Sequence, residues 1–273
     1  MVTNMHKDGF SYDGHRIITC DALTETGLVR HGFSTKKEGT SPGKYASLNL
    51  GIHTSDDPQL VRQNFTLFCR DAAVDLQHLI LAKQVHSTVV LPVTAKDAGK
   101  GLFLPRDFSE ADGFVTNEPG ICLATFYADC TPILLLDPVC RVIGSVHSGW
   151  RGTLGQIVCR AVSLMQSRYG SKSEDILVAT GPSIKQCHFE VGKDVYELFT
   201  KQFGAVAEQN TVQKGEKYYI DTDAINVHSL MSMGVLRRHI HLHTACTYCG
   251  KETFFSYRRD GETGRMCAMI ELI

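Results

Sequence analysis

The sequence predicts a mixed fold of the α/β or α+β class with mixed β-sheets, and three observations support this prediction. Short runs of branched apolar residues alternate irregularly with a few amphipathic segments, without the regular strand–helix order of a parallel sheet. The sequence lacks the glycine spacing of a Walker loop or a dinucleotide-binding turn. The 273 residues, 43% hydrophobic and 21% charged, are enough to bury a substantial core. Because no internal repeat or linker interrupts the chain, we expect a single domain over residues 1–273.

Apolar runs predict the strands in order. Two come first, at residues 16–23 and 28–35, and three buried ones follow at 78–86, 121–130 and 141–147. Further strands are expected near the end of the fold, at residues 176–184, 217–221, 240–246, 253–260 and 266–272.

Helical periodicity indicates four helices. In the first, residues 55–73, Asp57 is placed to cap the helix and Pro58 fits its first turn. The clearest one runs without a break from Gly152 to Gly170, where one apolar stripe comprises Leu154, Ile157, Val158, Ala161 and Met165. Residues 193–203 and 222–234 form the other two, and Thr222 or Asp223 is expected to cap the last.

The net charge and the N-terminal residues argue against nucleic-acid-binding, secreted and membrane-spanning proteins. The formal net charge is −1 and no run of five like charges occurs, which argues against a nucleic-acid-binding surface. The first residues lack the apolar core of a signal peptide, and no apolar run approaches the roughly 20 residues that span a bilayer. We therefore expect a cytoplasmic protein without membrane contact, in which the ten cysteines are reduced thiols.

Three predicted strands end in side chains that bind metals, namely His86, Cys130 and His147. Strand ends in a layered fold often meet at one rim, where sites form. Zinc accepts two imidazoles and a thiolate, and three protein ligands leave a fourth position open for a water or an anion such as phosphate. The alternative is a buried cysteine with two hydrogen-bonded histidines, because the spacings match no compact zinc motif.

Two polar residues flank these donors. Asp129, next to Cys130, is placed to accept a hydrogen bond behind a ligand or to relay protons in catalysis. Arg151 follows His147 in HSGWRG, beside the predicted helix start at Gly152, where free amide groups and a guanidinium favour an anion. Alternatively, Arg151 is a surface charge.

Ordered motifs across residues 30–273 carry a family resemblance. They are YASLNLG, KQVHS, ADGFVT, TFYADCTPILLLDP, HSGWRGT, GPSI and FFSYRRDGETGRM. The chain resembles the laccase-domain, multicopper polyphenol oxidase-type proteins, which include the YfiH- and YlmD-like purine nucleoside phosphorylases. The resemblance implies an α+β fold of four layers, α/β/β/α, with mixed sheets. It also implies zinc on His86, Cys130 and His147, phosphorolysis of adenosine, inosine and methylthioadenosine, and deamination of adenosine.

The substrate side of the resemblance is less complete. In the family an arginine often follows the asparagine at Asn64, but this chain has Phe65, so we assign no phosphate-binding arginine there. Asn49 in SLNLG is a candidate polar contact to the substrate or, alternatively, a turn residue. The expected partners are purine nucleosides and phosphate, and the sequence indicates no partner protein.

A second metal-binding pattern lies in HIHLHTACTYC. On a strand, His239, His241 and His243 would share one face, with Cys246 and Cys249 following. The segment is interpreted either as a second metal site, for copper on the histidines or zinc on the cysteines, or as a polar-faced strand with two reduced thiols.

Three other functions compete with the phosphorylase. A copper-dependent polyphenol oxidase, which the older family name implies, needs more organised histidine pairs than the 12 histidines of this chain provide. A metal-free cysteine hydrolase would use Cys130 as nucleophile and His147 as base. A non-catalytic binding module would hold nucleosides without turnover.

Overall fold

The computed structural model describes residues 5–7, 9–108 and 110–273. Its strands are β1 Met5–Lys7, β2 Phe10–Tyr12, β3 Ile17–Cys20, β4 Val29–Ser34, β5 Leu79–Leu81, β6 Val90–Pro92, β7 Gly113–Thr116, β8 Cys122–Tyr127, β9 Thr131–Asp137, β10 Val142–Ser148, β11 Leu177–Thr180, β12 Glu190–Val191, β13 Thr211–Lys214, β14 Lys217–Ile220, β15 Ile240–Leu242 and β16 Met266–Leu272. Its α-helices are α1 Asp21–Thr24, α2 Pro58–Asp71, α3 Trp150–Leu154, α4 Ile157–Tyr169, α5 Lys193–Phe203, α6 Ala205–Gln209, α7 Thr222–Ser232 and α8 Tyr257–Asp260.

Two large mixed sheets build the core. Over the described residues, the first has seven strands in the order β1-β2-β3-β4-β16-β8-β5, and the second has six in the order β15-β11-β9-β10-β7-β6. Neighbouring strands are antiparallel except for the parallel pairs β5–β8, β6–β7 and β11–β15. A smaller antiparallel sheet has the order β12-β14-β13. The predicted α+β class with mixed sheets is confirmed.

The two large sheets stack face to face between helices. In β9, Leu134 and Leu136 pack with residues of the first sheet, whereas Ile133 and Leu135 pack with α4. Successive strand side chains point to opposite faces, so a strand that is covered on both faces is apolar throughout. On the outer face of the first sheet, Phe65 belongs to the apolar cluster that α2 forms with β5, β8 and β16. The layers therefore follow the order α2, first sheet, second sheet, α4.

The helix prediction for residues 55–73 is confirmed, whereas the single helix from Gly152 to Gly170 is wrong. The Asp57 carboxylate accepts a hydrogen bond from the Gln59 amide at 2.7 Å, and Pro58 is the first residue of α2. The predicted second helix is two helices, α3 and α4. Gln156 between them has a left-handed backbone, with φ of 57°, which an α-helix cannot accommodate.

Two local predictions near the C-terminal half are also wrong. Residues 253–260 do not form a strand, because the Ser256 hydroxyl accepts a hydrogen bond from the Arg259 amide at 3.2 Å and caps α8. The cap of α7 is Asp221, which accepts from the Ala224 amide at 3.0 Å, and not Thr222 or Asp223. Within the described parts of the chain, no helix combines the length and apolar content that crossing a membrane requires.

Candidate active site

Three potential metal ligands meet where the chain passes from the first sheet to the second. Cys130 lies in the short segment between β8 and β9, which belong to different sheets. His147 lies near the end of β10, opposite Pro132 of β9. His86 is in a loop beyond β5, five residues after the strand ends at Leu81, so the predicted strand 78–86 is shorter than expected. The three donor atoms all lie within 4.8 Å of one another, and Cys130 Sγ is 3.8 Å from His86 Nε2.

Asp112, which precedes β7, orients both histidines. Its Oδ1 accepts a hydrogen bond from His147 Nδ1 at 2.8 Å and from the His86 amide at 3.0 Å, while Oδ2 accepts from the Ser87 amide and hydroxyl, both at 2.7 Å. These bonds hold the His86 backbone at a φ of 62°, a left-handed conformation that is uncommon outside glycine. Because His147 Nδ1 is engaged by a fully buried carboxylate, its Nε2 is left to act as the ligand atom.

The electrostatics of the site favour a thiolate. Burial opposes ionisation of Cys130, but the neighbouring His147 and His86 imidazoles overcome it and lower the pKa of the thiol to about 6. Burial also opposes a charge on His147, but Cys130 and Asp112 overcome it and raise the pKa of the imidazole to about 9. Without a metal the two groups therefore form a thiolate–imidazolium pair, and a bound cation would take the place of the proton on His147, because thiolate and neutral imidazole are the forms that bind metal.

Gly149 leaves the room that the three donors need. A Cβ at this position would lie 2.8 Å from His86 Cδ2 and 3.1 Å from Cys130 Sγ. The glycine in HSGWRG is thus required by close packing against the donors, and its role is more than turning the chain.

A cavity of about 580 Å³ opens over the three donors. This volume is within the range of sites for small organic ligands. Two arginines, Arg258 and Arg265, line it. Its walls carry the aromatic side chains of Phe126, Tyr127, Trp150, Phe189 and Tyr257.

Asp129 and Asn49, two further predicted site residues, already have hydrogen-bond partners within the protein. Asp129 lines the cavity, but its Oδ1 accepts from the Thr247 hydroxyl at 2.6 Å and its Oδ2 from the Arg258 amide at 2.7 Å. Asn49 is fully buried beneath the wall, where its Oδ1 accepts from the Gly51 amide and the Arg265 amide, each at 2.9 Å. Both side chains therefore hold neighbouring backbone in place.

Arg151 is exposed and stacks on the Trp150 ring, with Cζ 4.2 Å from the ring centroid. The helix that contains it, α3, has five residues and starts at Trp150. The long helix expected to start near Gly152 is therefore absent, whereas anion binding by Arg151 stays a prediction.

Sequence reasoning missed three residues of the site. Asp112 lies in the ADGFVT motif, and Arg258 and Arg265 lie in FFSYRRDGETGRM, but the residue order gave none of them a role. Only the folded chain places the C-terminal arginines beside donors from residues 86–147.

Comparisons with known proteins agree with this geometry. The family model described as multi-copper polyphenol oxidoreductase laccase matches residues 30–273. The purine nucleoside phosphorylase YlmD of Geobacillus stearothermophilus is 36% identical over 96% of this chain and 97% of that protein. The purine nucleoside phosphorylase YfiH of Escherichia coli is 35% identical over 88% of this chain and 92% of that protein.

Two solved structures have the same fold. The crystal structure of YlmD from Geobacillus stearothermophilus has a TM-score of 0.90 at 34% identity and covers 97% of this chain and 99% of that one. The Bacillus licheniformis hypothetical protein YfiH has a TM-score of 0.92 at 31% identity and covers 98% and 100%.

Proposed function

The chain belongs to the multi-copper polyphenol oxidoreductase laccase family, and on that premise we propose that it is a zinc-dependent purine nucleoside phosphorylase. It takes adenosine, inosine and methylthioadenosine with phosphate and yields the free base and the corresponding ribose 1-phosphate. Adenosine deamination is proposed as a side activity. The observation that carries the proposal is a thiolate and two imidazoles, within 4.8 Å of one another, beneath a cavity with aromatic walls and two arginines.

The donor set fits zinc at His86, Cys130 and His147. Two imidazole nitrogens and one thiolate are ligands that zinc accepts, and a zinc site with three protein ligands is open for catalysis. Asp112 behind His147 reproduces the carboxylate–histidine pair that orients ligands in such sites. When bound, zinc would supply Lewis acidity and a positive charge for the reacting group.

The cavity walls support a purine nucleoside as the ligand. Aromatic rings provide flat apolar surfaces for the base, and their burial on binding is favourable. We propose that Trp150 is one of these surfaces and that Arg151, stacked on its outer side, keeps the ring in place.

We propose that phosphate binds at Arg265, with Arg258 nearby. Arg265 Nη1 donates to the Thr263 carbonyl at 2.7 Å and the Gly264 carbonyl at 3.1 Å, which fixes the guanidinium at the cavity wall. An arginine held in this way presents forked donors that match phosphate oxygens. This assignment supplies an arginine in place of the one that often follows the asparagine at Asn64 in the family, where this chain has Phe65.

Asp129 and Asn49 enter the proposal as positioning residues. Asp129 ties the Cys130 segment to the segments that carry Thr247 and Arg258. Asn49 ties the loop at Gly51 to the backbone of Arg265. Each Asp129 oxygen accepts one hydrogen bond in these contacts and keeps a further acceptor site, so a proton relay through Asp129 stays part of the proposal.

Phosphate-dependent release of hypoxanthine from inosine tests the function, with products separated by chromatography. His86→Ala is expected to lower the rate by more than the roughly 100-fold that loss of an outer-sphere partner costs, because a ligand itself is removed. His15→Ala, which removes a half-exposed histidine paired with Glu38, is the matched control and keeps the activity. Full activity of His86→Ala would refute the assignment.

A nucleoside panel without phosphate tests deamination, which appears as inosine formed from adenosine.

A metal-free cysteine nucleophile is the second candidate, because the pKa of Cys130 is lowered to about 6 beside His147. Treatment with a chelator separates the two. Activity that is lost and then restored by zinc supports the phosphorylase, whereas full activity without metal that is abolished by alkylation of Cys130 supports the hydrolase. Copper content with phenol oxidation would instead indicate the oxidase.

We propose that this activity is cytoplasmic, where the reduced thiols expected from the sequence would persist.

A further inference from the structure

A second cluster of metal-binding side chains lies apart from His86, Cys130 and His147. It consists of Cys187, His188, Cys246 and Cys249, whose ligand atoms all lie within 4.8 Å of one another. Cys187 and His188 come from the segment between β11 and β12, and the other two cysteines follow β15. The histidines of HIHLH, at 239, 241 and 243, are not members of this cluster among the described residues. The cysteines that the sequence singled out therefore have a different histidine partner.

The spacing of the donor atoms matches a tetrahedral zinc site. With Zn–S near 2.3 Å and Zn–N near 2.0–2.1 Å, tetrahedral angles place two sulfurs about 3.8 Å apart and a sulfur about 3.6 Å from a nitrogen. In the structure, Cys187 Sγ is 3.9 Å from Cys249 Sγ. His188 Nδ1 is 3.2 Å from Cys187 Sγ, 3.3 Å from Cys249 Sγ and 3.9 Å from Cys246 Sγ.

The surroundings of the cluster are also those of a built site. Cys246 and Cys249 have the two-residue separation that is common in zinc-binding turns. The Lys185 amide donates to Cys246 Sγ at 3.5 Å, a contact that stabilises a thiolate. The Tyr248 ring stacks on the His188 imidazole, with centroids 4.0 Å apart and planes at 17°, and so fixes the ring that presents Nδ1.

We propose that Cys187, His188, Cys246 and Cys249 bind a second, structural zinc ion. Three thiolates and one imidazole complete four-fold coordination without a substrate position, which distinguishes this site from the open one at His86, Cys130 and His147. The proposal does not depend on the phosphorylase activity.

This zinc would join two segments that line the catalytic cavity. Phe189 follows His188 directly, and Arg258 reaches back to donate to the His188 carbonyl at 3.1 Å. Thr247, between the two cysteines of the turn, donates to Asp129 beside Cys130. A metal ion at the second site would thus order the cavity wall at Phe189 and Arg258 and, through Thr247 and Asp129, the segment that carries Cys130.

Zinc content of the purified full chain tests the proposal. The wild type is expected to hold about two zinc ions per chain, Cys249→Ser about one, and His86→Ala about one. Cys140→Ser removes another partly exposed thiol, on the turn between β9 and β10, and is the matched control that keeps both ions. Equal zinc content in wild type and Cys249→Ser would overturn the proposal.

A measurement on the wild type keeps the test independent of folding in the variants. X-ray absorption at the zinc edge is expected to give an average of about two sulfur ligands per zinc, since one site offers one sulfur and the other three. An average of one sulfur refutes the second site. So does a disulfide-linked peptide containing Cys187 and Cys249 from protein that was purified without reductant and holds a single zinc.

Discussion

Replacing Asp112 with asparagine should weaken metal binding at the first site without unfolding the protein. This carboxylate is fully buried and accepts from His147 Nδ1, from the Val85, His86 and Ser87 amides and from the Ser87 hydroxyl. One group thus orients the His147 ring directly and His86 through its backbone amide. Asparagine has the same shape but only one acceptor oxygen, and its NH₂ group would face donors.

The expected size follows from these contacts. Loss of an outer carboxylate behind a ligating histidine lowers metal affinity roughly 10- to 100-fold, which corresponds to about 1.4–2.8 kcal/mol. We expect the upper part of this range, because Asp112 also sets the left-handed backbone of His86. Burial works against the charge, but the His147 and Ser87 hydrogen bonds outweigh it and lower the pKa of Asp112 to about 2, so the group is ionised throughout the neutral range.

Competition with a chromophoric zinc chelator measures the affinity, and the zinc retained by His86→Ala defines the contribution of other sites. Asp137→Asn is the matched control. Asp137 is also fully buried and accepts from the Val139 and Cys140 amides, but it lies at the opposite end of β9 from Cys130. Zinc affinity of Asp112→Asn within twofold of the wild type, with a wild-type circular dichroism spectrum, would refute the role that we assign to this carboxylate.

Three further predictions concern the packing, the phosphate site and a buried histidine. Gly149→Ala places a methyl group 2.8 Å from His86 and should therefore remove the zinc proposed at the first site, as measured by metal analysis. Gly152→Ala is the control and should keep the zinc, because its nearest new contact is at 3.4 Å. Retention of zinc in Gly149→Ala would contradict the packing argument. Arg265→Ala should raise the KM for phosphate roughly 10- to 100-fold with a smaller change in kcat, because a charge-assisted hydrogen bond contributes about 1.5–3 kcal/mol. Arg70→Ala, on the exposed side of α2, is the control and should leave the KM unchanged. An unaltered KM in Arg265→Ala would exclude Arg265 from the proposed phosphate site. Burial lowers the pKa of His31 from 6.5 to about 4, so the unfolded chain takes up the proton first as the pH falls, and the free energy of unfolding decreases by up to about 3 kcal/mol between pH 6.5 and pH 4. Urea unfolding of His31→Gln should show a smaller decrease than the wild type over this interval. Equal decreases in the two proteins would exclude His31 as the source.

The sequence was sufficient to predict the parts of the fold that local patterns determine. The strand TPILLLD has apolar side chains on both faces, and the first sheet covers one face while α4 covers the other. Asp57 and Pro58 mark the start of α2 as capping rules predict. The three donors were also identified from the sequence, because each follows or ends an apolar run.

Long-range contacts account for what the sequence could not predict. Gln156 adopts a left-handed backbone, and the helix breaks there although the apolar stripe continues across the break. His188 lies beside Cys249 because the parallel pairing of β11 and β15 brings together the segments that follow these strands. Likewise, Asp112 and His147 are 35 residues apart in the sequence, so residue spacing alone did not predict the direct hydrogen bond between them.

The position of β16 in the first sheet leads to a prediction about when the proposed metal would bind. This strand follows every ligand in the chain, yet it lies in the middle of the first sheet, paired with β4 on one side and with β8 on the other. A nascent chain on the ribosome therefore exposes His86, Cys130 and His147 well before the strand that anchors β8 has been made, and long-range pairing of this kind forms late in folding. Zinc capture at the first site should accordingly be a post-translational event, and ribosome-stalled chains that stop before Met266 should bind the ion poorly.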